Sequence, residues 1–129
     1  VSSEIGGTVS VIDVKSHQIT KKITFEIAGL RSEAIQPVGV LITGDGKKAY
    51  VALGPANRVA VINTSTYEVE KYVLVGQRVW QLAITPDQKT LISTNGVSND
   101  VTFIDVATDE PVQSVTVGAL PWGVVVSPN

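Results

Sequence analysis

The stretch VWQLAITPDQKTLISTN, Val79–Asn95, decides the fold of this chain. Two apolar runs flank a Thr-Pro-Asp-Gln turn, which is the pattern of a β-hairpin. Moving the stretch forward by 42 positions aligns Trp80 with Trp122, and moving it back by 42 positions aligns Asp87 with Asp45. The chain therefore repeats with a period of about 42 residues, and such a repeat must be considered before any other interpretation of the fold.

Each repeat holds four short stretches in which apolar and polar residues alternate, as they do in β-strands. The first and second stretches form the hairpin. The third is a V-x-V-I-D or closely similar stretch, and it occurs three times, at Thr8–Asp13, Arg58–Asn63 and Asp100–Asp105. The fourth is more polar and covers Ile19–Phe25, Val69–Val75 and Val112–Val117. Pro111 beside the last of these predicts an exposed sheet edge, since proline cannot donate to a β-ladder.

Four short strands in about 42 residues are typical of one β-propeller blade, and no window shows a sustained helical period. We predict an all-β fold, a β-propeller of four-stranded antiparallel blades, with about three blades in residues 1–129 as a single partial domain. The predicted strand order is 2-3-4, 1-2-3-4, 1-2-3-4, 1, and the last first strand is Pro121–Ser127. Eight extra residues interrupt the spacing once, near 26–35, between a fourth strand and the next first strand.

The repeat register also predicts one core between blades. Its members are the apolar residues at equivalent positions of the first and third strands: Val40, Leu82 and Val124, Ile42, Ile84 and Val126, and Val11, Val61 and Phe103.

The composition argues against several classes of function. The net charge is −2 and the ten Lys and Arg residues are dispersed, which argues against nucleic-acid binding. The absence of cysteine excludes disulfides, thiolate metal sites and cysteine nucleophiles. No apolar run is long enough to predict a membrane span. The sequence has no methionine, even at position 1, so we expect a processed product or a fragment whose export signal lies upstream.

A family resemblance is visible in several motifs. Tyr50–Leu53 (YVAL), Ile92–Asn95 (ISTN) and the leading VSS resemble the Y-V-T-N signature of the YVTN β-propeller repeat family, and GTVSVID, SPN and TPDQKTL extend the likeness over nearly the whole chain. The stretches FEIAGLRSEAIQPVGV, GPANRVAVIN, VGQRVWQLA, TNGVSNDV and LPWGVVVSPN resemble propeller proteins associated with pyrroloquinoline-quinone-dependent alcohol catabolism. Those proteins are longer than this chain. The resemblance implies a non-enzymatic propeller, periplasmic or extracellular, that accompanies quinoprotein dehydrogenases.

Residues with catalytic or metal-binding chemistry are sparse. His17 is the only histidine, it aligns with Tyr67 and Asp109 in a turn, and no G-x-S-x-G motif accompanies it. Hydrolysis by a Ser-His-Asp triad therefore has little support, and a histidine-based zinc site is excluded by count. We predict no catalytic residue, no metal and no cofactor.

Two recurring side-chain types have a structural and a functional interpretation. Asx residues end the third strand at Asp13, Asn63 and Asp105, where they can begin turns or ligate calcium, and we favour turns. Trp80 and Trp122 share one repeat position, where they can fill the wedge between blades or form an aromatic platform for a ligand, and we favour packing between blades.

One face of the predicted propeller gathers polar residues. Connections from fourth to first strands and from second to third strands emerge on the same face, and such loops usually meet ligands or partners. The candidates there are Arg31, Glu33, Gln36, Gln77, Arg78, Asn95, Asn99 and Asp100, with Arg58 beside them. In the insertion, Leu30 and Ile35 are predicted to anchor the loop on the blade. A solvated rim without a binding role is the alternative.

These observations predict a non-enzymatic binding or accessory module with a protein partner, by resemblance a periplasmic quinoprotein dehydrogenase or a cytochrome. A propeller hydrolase or lactonase and a structural cell-surface repeat protein are the alternatives. An open arc of three blades has unpaired strand edges, so we also expect either a dimer that closes a six-bladed ring or a longer propeller of which this chain is part.

Overall fold

The computed structural model describes residues 1–128, so that Asn129, the last residue of the predicted domain and of the SPN motif, lies outside the described part. Three antiparallel sheets follow one another along the chain. Blade A contains β1 (Ser2–Ser3), β2 (Thr8–Ile12) and β3 (Ile19–Thr24). Blade B contains β4 (Val40–Ile42), β5 (Lys48–Ala52), β6 (Arg58–Asn63) and β7 (Val69–Leu74). Blade C contains β8 (Val79–Ile84), β9 (Thr90–Asn95), β10 (Asp100–Asp105) and β11 (Glu110–Thr116).

The predicted all-β blade architecture is confirmed. Within each sheet every strand pairs with the strand before it, which gives the order 2-3-4 in blade A and 1-2-3-4 in blades B and C. The only helical element in residues 1–128 is a single 3-10 turn, Ser32–Ala34, in the insertion. No helix in this part of the chain is long and apolar enough to cross a membrane.

One predicted strand is wrong. Residues 121–127, predicted as the first strand of a further blade, have no strand structure. A first strand pairs with the second strand of its own blade, and no such strand follows within the described residues. The segment is held instead from the side of blade C, where the Thr94 hydroxyl donates to the Trp122 carbonyl oxygen at 2.8 Å.

A β-bulge between the third and fourth strands recurs in all three blades. In every blade the register between third and fourth strands shifts by one residue at the same place, between Val11 and Ile12, Val61 and Ile62, and Phe103 and Ile104. A bulge of this kind twists the outer strand and protects its free edge from pairing with other chains. Pro111 lies next to the last bulge on the edge strand β11, in agreement with the predicted exposed edge.

Blade B lies between the other two blades, and its two faces form the core. One cluster joins it to blade A and contains Val51, Leu53, Ala60 and Ile62 from blade B with Val9, Ile23, Phe25 and Ile35. The other joins it to blade C and contains Tyr50, Ala52, Val59, Val61 and Val73 from blade B with Val79, Leu91 and Ile104. Alternate residues of β5 and β6 therefore point to opposite neighbours, as the pleat of a strand requires.

The predicted core is only partly correct. Val61 is fully buried, and Leu82 and Ile84 pack against the cluster between blades B and C, but Val40 is 41% exposed and Ile42 is 59% exposed. These two residues face blade A, which contributes a two-residue second strand and no first strand among the described residues. Val11, Phe103, Val124 and Val126 are partly buried. Burial thus depends on whether a facing strand is present, which the repeat register alone does not specify.

Close backbone contacts hold adjacent blades together. The Ser2 hydroxyl donates to the Val38 carbonyl oxygen at 2.6 Å, which is the same contact between blades as that of Thr94 with Trp122. A Cβ atom at Gly39 would lie 2.8 Å from the Trp80 carbonyl oxygen, so a side chain there would separate blades B and C. Glycine at position 39 therefore permits the close approach of these two blades.

Candidate functional site

The Asx residues that end the third strands form turns. The Asp13 carboxylate accepts hydrogen bonds from the backbone N–H groups of Ser16 at 2.7 Å and Lys15 at 3.1 Å. The Asn63 amide oxygen accepts from the Ser65 N–H, and the Asp105 carboxylate accepts from the Ala107 N–H. The bonds from Ser16 lower the pKa of the Asp13 carboxyl. Within residues 1–128 no three His, Cys, Asp or Glu side chains group as metal ligands.

The turn between third and fourth strands has the same backbone conformation in all blades. His17, Tyr67 and Asp109 have φ angles of 56°, 60° and 54°, in the left-handed region. This confirms that His17 is a turn residue, and its side chain is exposed. The side chains of Tyr67 and Asp109 contact neighbouring blades instead, so equivalent backbone positions have acquired different contacts.

Asp109 belongs to a polar cluster that the sequence did not predict. Its carboxylate accepts a hydrogen bond from the Tyr50 hydroxyl at 2.7 Å and pairs with the Lys48 ammonium at 2.6 Å. Lys48 also donates to the Val106 carbonyl oxygen at 2.9 Å. Burial, and then the Asp109 carboxylate, raise the pKa of Tyr50 well above its ordinary value. This cluster ties blade B to blade C at the end opposite to the candidate binding loops.

The connections from fourth to first strands and from second to third strands contact one another on one face, as predicted. The Gln77 N–H donates to the Ser98 hydroxyl at 2.7 Å, and the Val97 N–H donates to the Gln77 carbonyl oxygen at 3.0 Å. The Gly96 N–H donates to the Arg78 carbonyl oxygen at 2.9 Å. We call this surface, formed by residues 26–38, 53–58, 75–79, 96–99 and 118–121, the loop face.

The insertion lies on the loop face and is anchored at one end. Ile35 is 3% exposed and belongs to the core between blades A and B, as predicted, whereas Leu30 is 36% exposed and does not anchor the loop. Arg31 and Glu33 flank the start of the 3-10 turn and are exposed. The insertion therefore has a packing role through Ile35 and presents two charged side chains to solvent.

The insertion and the loops of blade C are connected through the centre of the loop face. The Gln36 N–H donates to the Leu53 carbonyl oxygen at 3.3 Å, and the Gln36 amide donates to the Glu33 carbonyl oxygen at 3.1 Å. Gly54 follows Leu53, and its carbonyl oxygen accepts a bond from the Val79 N–H at 3.2 Å. Gln36 and Arg78 are thus joined by backbone hydrogen bonds across blade B.

Asparagines of the second-to-third turns fix the start of the next blade. The Asn57 side-chain oxygen accepts from the Arg78 N–H at 2.8 Å, and the Asn99 side-chain oxygen accepts from the Leu120 N–H at 2.9 Å. The two asparagines are themselves held at φ angles of 57° and 58°. Asn99, a predicted binding residue, therefore has a structural role that uses its side-chain oxygen. Asn57 was missed, although its 42-residue distance from Asn99 is visible in the sequence.

The side chains of three other residues predicted on this face already form hydrogen bonds to nearby residues. Asn95 is fully buried, and its amide donates to the Thr102 hydroxyl at 2.9 Å. Its prediction as a surface residue is wrong, because it is the last residue of β9 and its side chain turns into blade C rather than toward the loops. The Asp100 carboxylate accepts from the Ser98 hydroxyl at 2.5 Å, and the Arg58 guanidinium donates to the Ala56 carbonyl oxygen at 2.8 Å.

Arg78 lies on an aromatic pair. Its guanidinium carbon is 4.7 Å from the ring centroid of Trp80, and the rings of Trp80 and Trp122 are 4.2 Å apart at an interplanar angle of 34°. Trp80 is partly buried, and Trp122 is 58% exposed. The pair thus forms an accessible aromatic surface. The packing predicted for these tryptophans is wrong for Trp122, because within residues 1–128 no further blade covers its ring.

Comparison with known proteins identifies the fold family. The YNCE-like β-propeller family matches residues 47–129. A chain of the Kuenenia stuttgartiensis hydrazine synthase superposes with a TM-score of 0.78 at 23% sequence identity, which concerns the fold alone. The match covers 92% of this chain and 31% of the hydrazine synthase chain, so this chain spans about a third of that neighbour's length. Among curated proteins, nothing matches. With more than half of its residues matched by the family, on blades that have the expected strand order, this chain belongs to the YNCE-like β-propellers.

Proposed function

We propose that this chain is a non-enzymatic binding or accessory module whose partner is a protein contacting the loop face. The observation that carries the proposal is the exposure of Arg31, Glu33 and Gln77 on a surface whose backbone is fixed by hydrogen bonds. A rigid frame with free polar side chains lowers the entropy cost of association. The apolar first strands, Val40–Ile42 and Val79–Ile84, support a binding role over catalysis at the propeller axis.

The biological context that we propose comes from the sequence resemblance. Propellers of that kind accompany quinoprotein dehydrogenases of alcohol catabolism, so we propose a periplasmic or extracellular protein that contacts such a dehydrogenase or its cytochrome. The exposed charges of opposite sign at Arg31 and Glu33 favour a partner surface with both acidic and basic groups, because complementary charges select partners.

The experiment measures capture of a purified periplasmic quinoprotein dehydrogenase, and separately of its cytochrome, by the immobilised protein. We expect the double variant Arg31→Ala/Glu33→Ala to weaken capture by about tenfold or more, as truncation of a few central contacts does. Lys89→Ala is the matched control, since Lys89 is an exposed charge in the hairpin turn between β8 and β9, away from the loop face. Unchanged capture by the double variant would refute the proposal, and unchanged capture with a lowered urea midpoint would in addition assign the loop to packing.

Self-association is a second proposal about partners. Val40 and Ile42 line an apolar cleft between blades A and B with Val11 and Ile12. We propose that residues 121–126 of a second copy occupy this cleft, because they hold a first-strand repeat position and Val125 is 94% exposed. Light scattering of the purified protein should then show a dimer. A monomer at all concentrations, or an intact mass that includes further blades, would contradict this proposal.

A further inference from the structure

The side chains of Arg78, Trp80 and Trp122 carry only hydrogen-bond donors and no acceptor. A guanidinium has five N–H donors and an indole has one, and neither group can accept a hydrogen bond. Within residues 1–128, the Arg78 guanidinium forms no ion pair or hydrogen bond, and its contact is the face of the Trp80 ring. Unlike Arg58, whose guanidinium is bound to the Ala56 carbonyl oxygen, Arg78 has its donors available.

The stack is held in place by backbone contacts that do not use these donors. The Arg78 N–H is fixed by Asn57 and its carbonyl oxygen by Gly96, with φ at 56°. A Cβ atom at Gly96 would lie 2.2 Å from Nε1 of Trp80, so glycine is required where the indole approaches the turn. Trp122 is fixed through its carbonyl oxygen by Thr94. The Arg78 guanidinium is therefore presented on a preorganised frame, which lowers the entropy cost of binding a ligand.

The geometry favours a carboxylate. A guanidinium that lies on an aromatic ring keeps its N–H edges directed outward in its own plane, where a planar carboxylate can form two parallel hydrogen bonds. The exposed ring of Trp122 offers an apolar surface for the group that carries the carboxylate.

Two other ligands also contact arginine and tryptophan. Single-stranded nucleic acid stacks its bases on aromatic rings but needs a basic groove for its backbone, whereas this chain has a net charge of −2. A phosphate carries more negative charge than a carboxylate, so Asp100, which follows the loop of residues 96–99, repels it more strongly. The net charge therefore disfavours nucleic acid, and Asp100 disfavours phosphate.

We propose that Arg78, Trp80 and Trp122 form a binding site for a carboxylate with an adjoining apolar group, either a small organic acid or the C-terminal carboxylate of a protein chain. The Arg78 guanidinium pairs with the carboxylate, and the Trp122 ring covers the apolar group. This inference rests on the proposed function, since Arg78 belongs to the loop face and the two tryptophans directly follow loop-face segments, and it names the chemistry that this face recognises.

Intrinsic fluorescence tests the site directly, because Trp80 and Trp122 are the two tryptophans of the chain. The probes are a short leucine-terminated peptide with a free C-terminal carboxylate, the same peptide with a C-terminal amide, and butyrate. We expect a saturable fluorescence change with the free carboxylates and at least about tenfold weaker binding of the amide, as loss of a charge-assisted hydrogen-bond pair implies. Peptide binding without butyrate binding would identify a chain terminus as the source, and equal affinities would identify a small acid.

Variants separate the site from the fold. Arg78→Ala should weaken carboxylate binding about tenfold or more, while Arg58→Ala, on the same face but bonded to its own loop, should change it less than about twofold. The comparison of acid with amide on the unaltered protein needs no variant and stays decisive if Arg78→Ala unfolds. Equal binding of acid and amide, or tighter binding of inorganic phosphate or of an oligo-dT strand, would overturn the proposal. Carboxylate binding without dehydrogenase or cytochrome capture would refute the proposed function alone, and capture without carboxylate binding would refute this inference alone.

Discussion

Removal of one hydroxyl group, in the variant Tyr50→Phe, tests how blades B and C are locked together. Tyr50 is fully buried and donates to the Asp109 carboxylate at 2.7 Å, and the Asp109 side chain is 13% exposed. The substitution keeps the ring in place, so it leaves no large cavity, and it deletes a hydrogen bond to a charged group in a site with little water. Such a bond is worth about 1.5–3 kcal/mol, which is the loss of stability that we expect.

Urea denaturation followed by tryptophan fluorescence measures this loss. With a slope of about 1–3 kcal/mol per molar urea, a loss of about 2 kcal/mol lowers the midpoint by about 1 M. The matched control is Tyr67→Phe, because Tyr67 is a half-buried tyrosine whose hydroxyl has no hydrogen bond within residues 1–128. We expect that control to change stability by less than about 0.5 kcal/mol.

A double-mutant cycle separates the hydrogen bond from other effects of the substitution. Asp109→Asn keeps a residue type that tolerates the left-handed φ of 54° at this position, so the backbone of the turn should not change. We expect a coupling energy between Tyr50 and Asp109 of about 1 kcal/mol or more, as residues in one network show. A stability loss below about 0.5 kcal/mol for Tyr50→Phe, or no coupling with Asp109→Asn, would show that the hydrogen bond between Tyr50 and Asp109 does not stabilise the contact between blades B and C.

Three further predictions concern the core and the pH dependence of stability. Leu91→Ala should destabilise the protein by about 2–5 kcal/mol in urea, because Leu91 is fully buried between blades B and C, whereas Val112→Ala on the exposed edge strand should have little effect. Because the pKa of Tyr50 is raised in the folded state, its stabilising contribution is complete below pH about 10 and is lost as the pH rises further, and Tyr50→Phe should flatten the alkaline part of a pH–stability curve. The Thr43 hydroxyl and the Thr85 hydroxyl lower the pKa of Asp45 and of Asp87, so stability should fall as the pH drops below about 4, and a fall that persists undiminished in Asp45→Asn/Asp87→Asn would contradict this cause.

The strands were predictable because their signals are local. Alternation of apolar and polar residues and a turn at each end specify a strand without reference to its neighbours, and β6 and β10 have the bounds that the repeat predicted. The turns followed for the same reason, since an Asx side chain bonds to N–H groups two or three residues ahead. The bulges between third and fourth strands have no comparable local signal and were missed.

Burial was not predictable from the repeat because it is decided by what lies opposite. Val40 and Leu82 hold the same repeat position, yet Val40 is 41% exposed while Leu82 packs between blades B and C. The error at Asn95 has a related cause. Polar residues at a strand end are usually placed on the surface, but Asn95 finds partners in Thr102 and Ser93 and is fully buried. Its burial is possible because these hydrogen bonds offset the loss of water.

Repeat copies also show how function can be separated from fold in this chain. His17, Tyr67 and Asp109 share a left-handed turn conformation, so the repeat specifies their backbone, and their side chains serve solvent, the core and the Lys48 ion pair respectively. Arg78 and Leu120 likewise share a backbone position at φ angles of 56° and 53°, each fixed by an asparagine of the blade before it. Because leucine is compatible with the same backbone, the fold does not require arginine at position 78. Its guanidinium on the Trp80 ring is therefore a feature that the propeller architecture leaves unexplained and that recognition of a carboxylate explains.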